Sequence, residues 1–355
     1  MKILGIESSC DETAAAVVED GKKLLSNIVA SSMDLHVQYG GVVPEVAARS
    51  HIEVINPVIE QALADAHCTW GDIDGIAVTY GAGLGGSLLI GVLAARTLAI
   101  IKNKPLYGVN HVEGHVYANF LTEASPALSQ YQFPVTAPTF PMLAVIVSGN
   151  HTQLVLFQNH FDYRLLGQTH DDAIGEAFDK VAKVIGLPYP GGPSIAQAAV
   201  AGNPHAFTFP KAKLAAPYDF SFSGPKTAVL RAVQALCGKS YDFPSFKLAE
   251  LLNVSQQADV AASFQRIAVE TVVDKAYKAF EEFDPSSVVI AGGVAANQEL
   301  RRQLTARIPL PINYTDIKLC TDNGAMVATL GCFKAMLKQS TTDPYSLEIA
   351  PNLTM

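Results

Sequence analysis

A short apolar strand, a polar loop and two returning strands occur twice in this chain, near residue 3 and again near residue 143. In the first copy Ile3-Leu4-Gly5-Ile6 is the strand and Ser8 to Thr13 the loop. Thr13 to Val18 returns, Asp20-Gly21 marks a hairpin turn, and Lys23 to Ala30 goes back again. In the second copy Met142 to Val147, the loop Ser148-Gly149-Asn150-His151-Thr152, Gln153 to Phe157 and Arg164 to Gln168 follow the same order. The two copies share topology rather than residues. Each needs helices to cover its sheet, so the pattern predicts an α/β chain of two related lobes.

The segments between and after the copies supply those helices. Pro44 to Ala66 has Val46, Ile52, Ile55, Val58, Ile59 and Leu63 near helical spacing, with Pro57 expected to kink or divide it. Ile73 to Thr79 reads as a buried strand opening through Gly81-Ala82-Gly83-Leu84-Gly85-Gly86-Ser87 into an apolar helix. Without a Walker lysine that glycine run reads equally as a phosphate cradle or a close helix–strand approach. Leu106 to Val109 is a further short strand. Residues 122–141 carry Pro126, Pro134, Pro138 and Pro141 and read as a surface loop or interlobe linker. Asp171 to Gly186, residues 225–237 and residues 255–283 read as helices, and Tyr189-Pro190-Gly191-Gly192-Pro193-Ser194 as a rigid turn. Val288 to Ala291 is a strand turned by Gly292-Gly293-Val294-Ala295-Ala296-Asn297 into a helix at Gln298, and a last helix starts near Asn323. Two such lobes facing across a cleft describe the two-lobed actin-like ATPase fold (ASKHA, the actin/Hsp70/sugar-kinase superfold). The expected lobes are 1–136, with 323–355 returning to it, and 137–322.

Composition narrows the function classes. With 49% hydrophobic and 16% charged residues the chain is globular rather than disordered. A net charge of −8 argues against a surface that binds nucleic acid broadly without help, although Lys211, Lys213, Lys226, Arg301 and Arg302 are candidates for a local phosphate-contacting patch. The five cysteines are scattered and never form a Cys-x-x-Cys pair, which fits a reducing compartment. The N-terminal residues run straight into a strand without signal-peptide organisation. The apolar tract Leu84–Ile101 holds Arg96 and reads as a buried helix rather than a membrane span. A soluble protein is expected.

His111 and His115 stand four residues apart in Asn110-His111-Val112-Glu113-Gly114-His115. On a helix that spacing puts both imidazoles on one face, within reach of a single metal ion. Nine histidines give about 0.2 such pairs by chance, so the pair needs support. Asp322, in Cys320-Thr321-Asp322-Asn323-Gly324, is the candidate third ligand.

Eight segments in order carry a resemblance. They are Gly5-Ile6-Glu7-Ser8-Ser9-Cys10-Asp11-Glu12-Thr13, Asn110 to His115, Val147-Ser148-Gly149-Asn150-His151-Thr152 and Gly175-Glu176-Ala177-Phe178-Asp179-Lys180. Tyr189 to Pro193, Phe222-Ser223-Gly224-Pro225-Lys226-Thr227, Gly292 to Asn297 and Cys320 to Ala325 complete them. Together, over roughly residues 1–335, the chain resembles the TsaD family of tRNA N6-adenosine threonylcarbamoyltransferases, in its bacterial form. The resemblance implies transfer of the threonylcarbamoyl group from L-threonylcarbamoyl-AMP to N6 of the adenosine 3′ of the anticodon, in tRNAs that read codons beginning with A. The product is N6-threonylcarbamoyladenosine, and AMP is released.

It further implies one Fe²⁺ per subunit, or Zn²⁺, on His111, His115 and Asp322, a ligand set that suits either metal. An adenine nucleotide, as part of the substrate, is expected on Ile146, Val147, Ser148, Gly149, Asn150, Asp179, Gly192 and Asn297. Asp11 and Glu12 are catalytic candidates for orienting the amine or a water, with loop capping as the competing role. A TsaB-like paralogous subunit, a TsaE-like ATPase and a cytoplasmic location are implied too. The chain departs from the family in its second-lobe loop, where Asn150 replaces the usual second glycine, and 122–141 is longer than usual.

Two other activities compete. A His-Glu-x-x-His zinc protease places its general base directly after the first histidine. Here Val112 takes that place, and Glu113 is rotated about 100° around the helix. A sugar kinase or Hsp70-like ATPase explains both hairpin loops but gives the two histidines and Asp322 no task. A scaffold that only binds nucleotide and partners is the third class.

Overall fold

The computed structural model describes residues 1–355. The chain divides into two compact units, 1–138 with 313–355, and 139–312.

In the first unit β1 (Lys2–Glu7), β2 (Glu12–Glu19) and β3 (Lys23–Ser31) form an antiparallel meander, followed by α1 (Met33–Val37) and α2 (Pro44–Asp65). Then come β4 (Gly75–Gly81), α3 (Gly85–Lys102), β5 (Leu106–Asn110), the short α4 (His111–Tyr117) and a two-residue edge strand β6 (Glu123–Ala124). The sheet order is β5-β4-β1-β2-β3-β6, with β4 parallel to β1 and to β5.

The second unit holds β7 (Met142–Val147), β8 (Thr152–Asn159) and β9 (Asp162–Gln168), then α5 (Ile174–Ile185), α6 (Gly191–Ala199), α7 (Ser223–Leu236) and α8 (Val254–Phe283). It ends with β10 (Ser287–Ala291), α9 (Gln298–Arg307) and β11 (Ile312–Asn313), in the sheet order β11-β10-β7-β8-β9. Each unit therefore has an antiparallel meander with a parallel strand added on its first strand. This is the duplicated topology of the actin-like ATPase fold. The chain finally returns to the first unit as α10 (Gly324–Met336).

The sequence-based bounds put the return at 323, whereas the compact units meet at 312/313. Residues 313–322 belong with the first unit because Gln132 N–H donates to Asp316 Oδ2 (2.9 Å) and Lys318 lies over the Tyr131 ring. Asp322 accordingly shares a unit with His111 and His115.

β1 is buried along its length because helices cover both faces of its sheet: α2 and α3 on one, α10 on the other. α10 approaches closely enough that a Cβ on Gly5 would lie 2.3 Å from Ala328 N, and one on Gly324 2.5 Å from the Ala15 and Ala16 backbone.

Three expectations are corrected. Pro57 does not divide its helix: α2 runs unbroken from 44 to 65, and Pro57 and Glu53 lie on the exposed face, where the carbonyl freed by the missing N–H meets water. The turn at 189–194 opens directly into α6, with Pro193 in the first turn, where a missing N–H costs nothing. The Leu84–Ile101 tract is buried on one face only. Leu88, Val92, Ala95 and Ala99 are inside, while Leu89, Leu93, Ile100 and Ile101 are exposed. By length and composition it is the one helix apolar enough to cross a membrane, but its buried face packs on β4 and α2.

Candidate metal centre and active site

β5 runs into α4 without a loop, and the Asn110 side chain caps the helix by accepting from Val112 N–H (2.9 Å). This fixes the first turn, and the two imidazoles stand on one face, 4.7 Å apart and 82° to one another. α10 packs on α4 and sets Asp322, two residues before its start, opposite them. Asp322 Oδ1 is 3.5 Å from His111 Nε2 and 3.2 Å from His115 Nε2, and the donor atoms of all three residues lie within 4.8 Å of one another.

The chemistry of this set fits a divalent transition metal. His115 is 3% exposed, and neither of its ring nitrogens has a hydrogen bond. A buried imidazole without such partners is costly, and a cation shared with His111 and Asp322 would satisfy it. Burial opposes a charge on His111, but Asp322 and Glu7 outweigh that and raise its pKa to about 9. The site attracts positive charge.

Behind His111 lies a residue to which the sequence alone gave no role. Glu7, at the end of β1, is fully buried and accepts from Ser9 N–H and Thr79 Oγ1–H, each at 2.5 Å. Its signals in the sequence are a carboxylate closing a mostly apolar strand and its place in the Gly5–Thr13 segment, neither of which says what it touches.

Asp11 and Glu12 belong to the same unit. The Asp11 carbonyl accepts from Ser32 N–H (3.0 Å) and Ser32 Oγ–H (2.8 Å), so the loop is tied down at its backbone. Burial, followed by the charges of Asp322 and Asp11, pushes Glu12 far above the usual carboxylate range. Burial, followed by the same charges of Asp322 and Asp11, also pushes the Cys10 thiol well up, away from the thiolate form. Glu113 is turned away from the metal ligands. Burial raises it to about 7 against the pull of Lys334.

In the second unit, the Ile146–Asn150 segment and, after a short turn, Asn297 follow the carboxyl ends of the parallel strands β7 and β10, where open α/β sheets bind ligands, while Asp179 lies on α5 and Gly192 in the first turn of α6. The Ile146–Asn150 segment leaves β7. Its Ser148 and Gly149 carbonyls accept from Gly175 and Glu176 N–H, the second and third amides of α5 (3.2 and 3.1 Å). Asn150 does not adopt a positive φ, so the replacement of glycine there brings no strain. Asp179 is raised by burial despite accepting Gly191 N–H at 2.6 Å. The close approach falls on Gly191, whose Cβ would lie 2.5 Å from Asp179 Cα, whereas a Cβ on Gly192 meets open space. Gly292, at φ +91°, folds its turn against Val147 O. Asn297 is partly committed: its oxygen caps α9 through Leu300 N–H, and its amide donates to Gln265 Oε1 (both 3.0 Å).

The proposed basic patch is largely neutralised. Lys211 pairs with Glu270 and Asp274, Lys226 with Asp172 and Arg302 with Glu299, while Arg301 Nε donates to the Ala295 carbonyl.

Fold and site thus define a two-lobed actin-like ATPase-fold protein with a His₂Asp centre in one unit. Full-length HypF, solved in its phosphate- and nucleotide-bound form, has the same fold, with a TM-score of 0.56 at 13% identity over 96% of this chain and 47% of HypF. The family model described as TsaD, tRNA N6-adenosine threonylcarbamoyltransferase, matches residues 23–329. The chain is 51% identical over 335 residues to the tRNA N6-adenosine threonylcarbamoyltransferase of Thermomicrobium roseum, spanning 92% of this chain and 90% of that protein. It is 48% identical over 359 residues to the enzyme of that name from Desulfitobacterium hafniense, spanning 100% and 98%. The chain belongs to the TsaD family.

Proposed function

We propose that the chain transfers the threonylcarbamoyl group of L-threonylcarbamoyl-AMP to N6 of the adenosine 3′ of the anticodon, in tRNAs reading codons that begin with A. The observation that carries this reading is the His111–His115–Asp322 cluster, with both imidazoles buried, in a chain of the TsaD family. The donor is already activated as a mixed carbamic–phosphoric anhydride. The N6 lone pair attacks the carbamoyl carbon, a C–N bond forms, the C–O bond to phosphate breaks, and AMP leaves with the electron pair. N6 gives up one proton to water, and Asp11 and Glu12 are the groups assigned to orient the amine or that water. No protein nucleophile is required, in keeping with the high proton affinity of Cys10.

His111, His115 and Asp322 would hold the metal, Fe²⁺ or Zn²⁺. When bound it supplies Lewis-acid stabilisation of charge developing on the donor. The Ile146–Asn150 loop, Asp179, Gly192 and Asn297 would hold the adenylate. Asp179 would accept from ribose hydroxyls, Asn297 would use its second amide hydrogen, and the open space beside Gly192 leaves room for a flat ligand. A kinase or ATPase reading rests on the fold alone and leaves the metal ligands without a task.

The acidity of the chain, with most of its candidate basic patch already paired, supports a tRNA-holding role for partners. We assign that role to a TsaB-like paralogous subunit and a TsaE-like ATPase, in the cytoplasm. Incubation with tRNA and pre-made, carbonyl-labelled threonylcarbamoyl-AMP tests the reaction. Label on the tRNA is the expected result. Its absence with both partners present contradicts the reading.

A further inference from the structure

Glu7 is a carboxylate with 0% exposure, and its one ion-pair partner is a metal-ligand candidate, His111. Burying an acid without a cation is costly, and neither lysine nor arginine approaches it. Both of its oxygens accept hydrogen bonds, Oε1 from Ser9 N–H and Oε2 from Thr79 Oγ1–H. Oε2 also lies 3.4 Å from His111 Nδ1, and Ser9 Oγ lies 3.0 Å from the same nitrogen. The far nitrogen, Nε2, faces Asp322. An imidazole whose Nδ1–H is held by two oxygens presents a lone pair on Nε2, the form that binds metal. His115 has no such anchor, for its Nδ1 is without a hydrogen bond.

We propose that Glu7 is the positioning residue of this centre: with Ser9 it fixes the tautomer and plane of His111, and with Asp322 it supplies two negative charges for one divalent ion. This rests on the assignment of His111, His115 and Asp322 as the ligands. Thr79 and the Ser9 amide hold the carboxylate in place, so the network ties the start of the first hairpin loop to the metal.

Glu7→Gln keeps the shape and removes the charge. Its amide N–H can also donate to Nδ1 and so favour the tautomer that blocks Nε2. The full-length chain, stripped of metal, is titrated with Zn²⁺ against a chromophoric chelator, and its melting temperature is read in the same preparation. Glu7→Gln is expected to bind Zn²⁺ about 10- to 100-fold more weakly than wild type. Its metal-free melting temperature should be equal or higher, because a buried charge is gone. Unchanged Zn²⁺ affinity in folded Glu7→Gln overturns the proposal.

A second measurement stands if Glu7→Gln does not fold. ¹⁵N shifts of the His111 ring in the Zn²⁺-loaded wild type should show a protonated Nδ1 and a metal-bound Nε2, and the reverse pattern refutes the role. Wild type and His115→Ala serve as controls for the underlying assignment. If both bind Zn²⁺ equally, the ligand set fails rather than the role of Glu7.

Discussion

His111 and His115 differ in their second nitrogens: one faces Ser9 and Glu7, the other makes no hydrogen bond. Both present Nε2 to Asp322 as candidate ligands, so His111→Ala should abolish metal binding while leaving far-UV circular dichroism intact. Metal retained at one per chain on elemental analysis would refute the ligand set. Glu113 is buried on the other side of α4, toward Lys334. Glu113→Gln should therefore keep transfer within about threefold, where loss of a protease-type base would cost about 10²–10⁴ in rate. At this scale much was legible in the sequence. The i, i+4 spacing gave the histidine pair, and the register of Glu113 spoke against a protease. Glu7 was not legible, because its meaning depends on Thr79 and His111, residues 72 and 104 positions away. The packing of Gly191 was hidden for a related reason: two adjacent glycines look alike until one is found against Asp179.

Elements bring these residues together through close backbone approach. α10 lies on β1 only because Gly5 and Gly324 lack side chains. Gly5→Ala should destabilise the first unit by about 3 kcal/mol through overpacking and weaken metal binding by displacing Asp322, read by urea denaturation and Zn²⁺ titration. In the second unit Asp171 fastens the segment before α7, accepting from Ser221 Oγ, Phe222 N–H and both Ser223 donors. Burial opposes its ionisation, but the Ser221 and Ser223 hydroxyls and the two amides win and hold it below the usual aspartate value. A depressed folded pKa stabilises above the unfolded value, near 3.9, and that stabilisation is lost as pH falls through the folded one. Asp171→Ala should thus cost about 1 kcal/mol at pH 7, after allowance for solvent screening, and progressively less below about pH 4. A cost that does not change with pH would contradict this. The strands were legible from apolar runs. α6 was hidden because Gly191-Gly192-Pro193 spells a turn, and only the chain beyond it makes a helix.

The whole molecule is an acidic transferase for an acidic polymer. Its net charge is −8, and Lys211, Lys226 and Arg302 of its candidate basic patch are already paired with acids of the same chain. Repeated topology made the fold legible from sequence. The boundary at 312/313 was not, since it depends on contacts such as Gln132 with Asp316 between distant segments. In the proposed reaction one divalent metal on His111, His115 and Asp322 enables transfer to tRNA. Single-turnover transfer from pre-made threonylcarbamoyl-AMP, with partners present, tests it most directly when metal-stripped protein is reloaded in steps. Activity should rise from near zero and saturate at one metal per chain. Full activity in the stripped protein would contradict it.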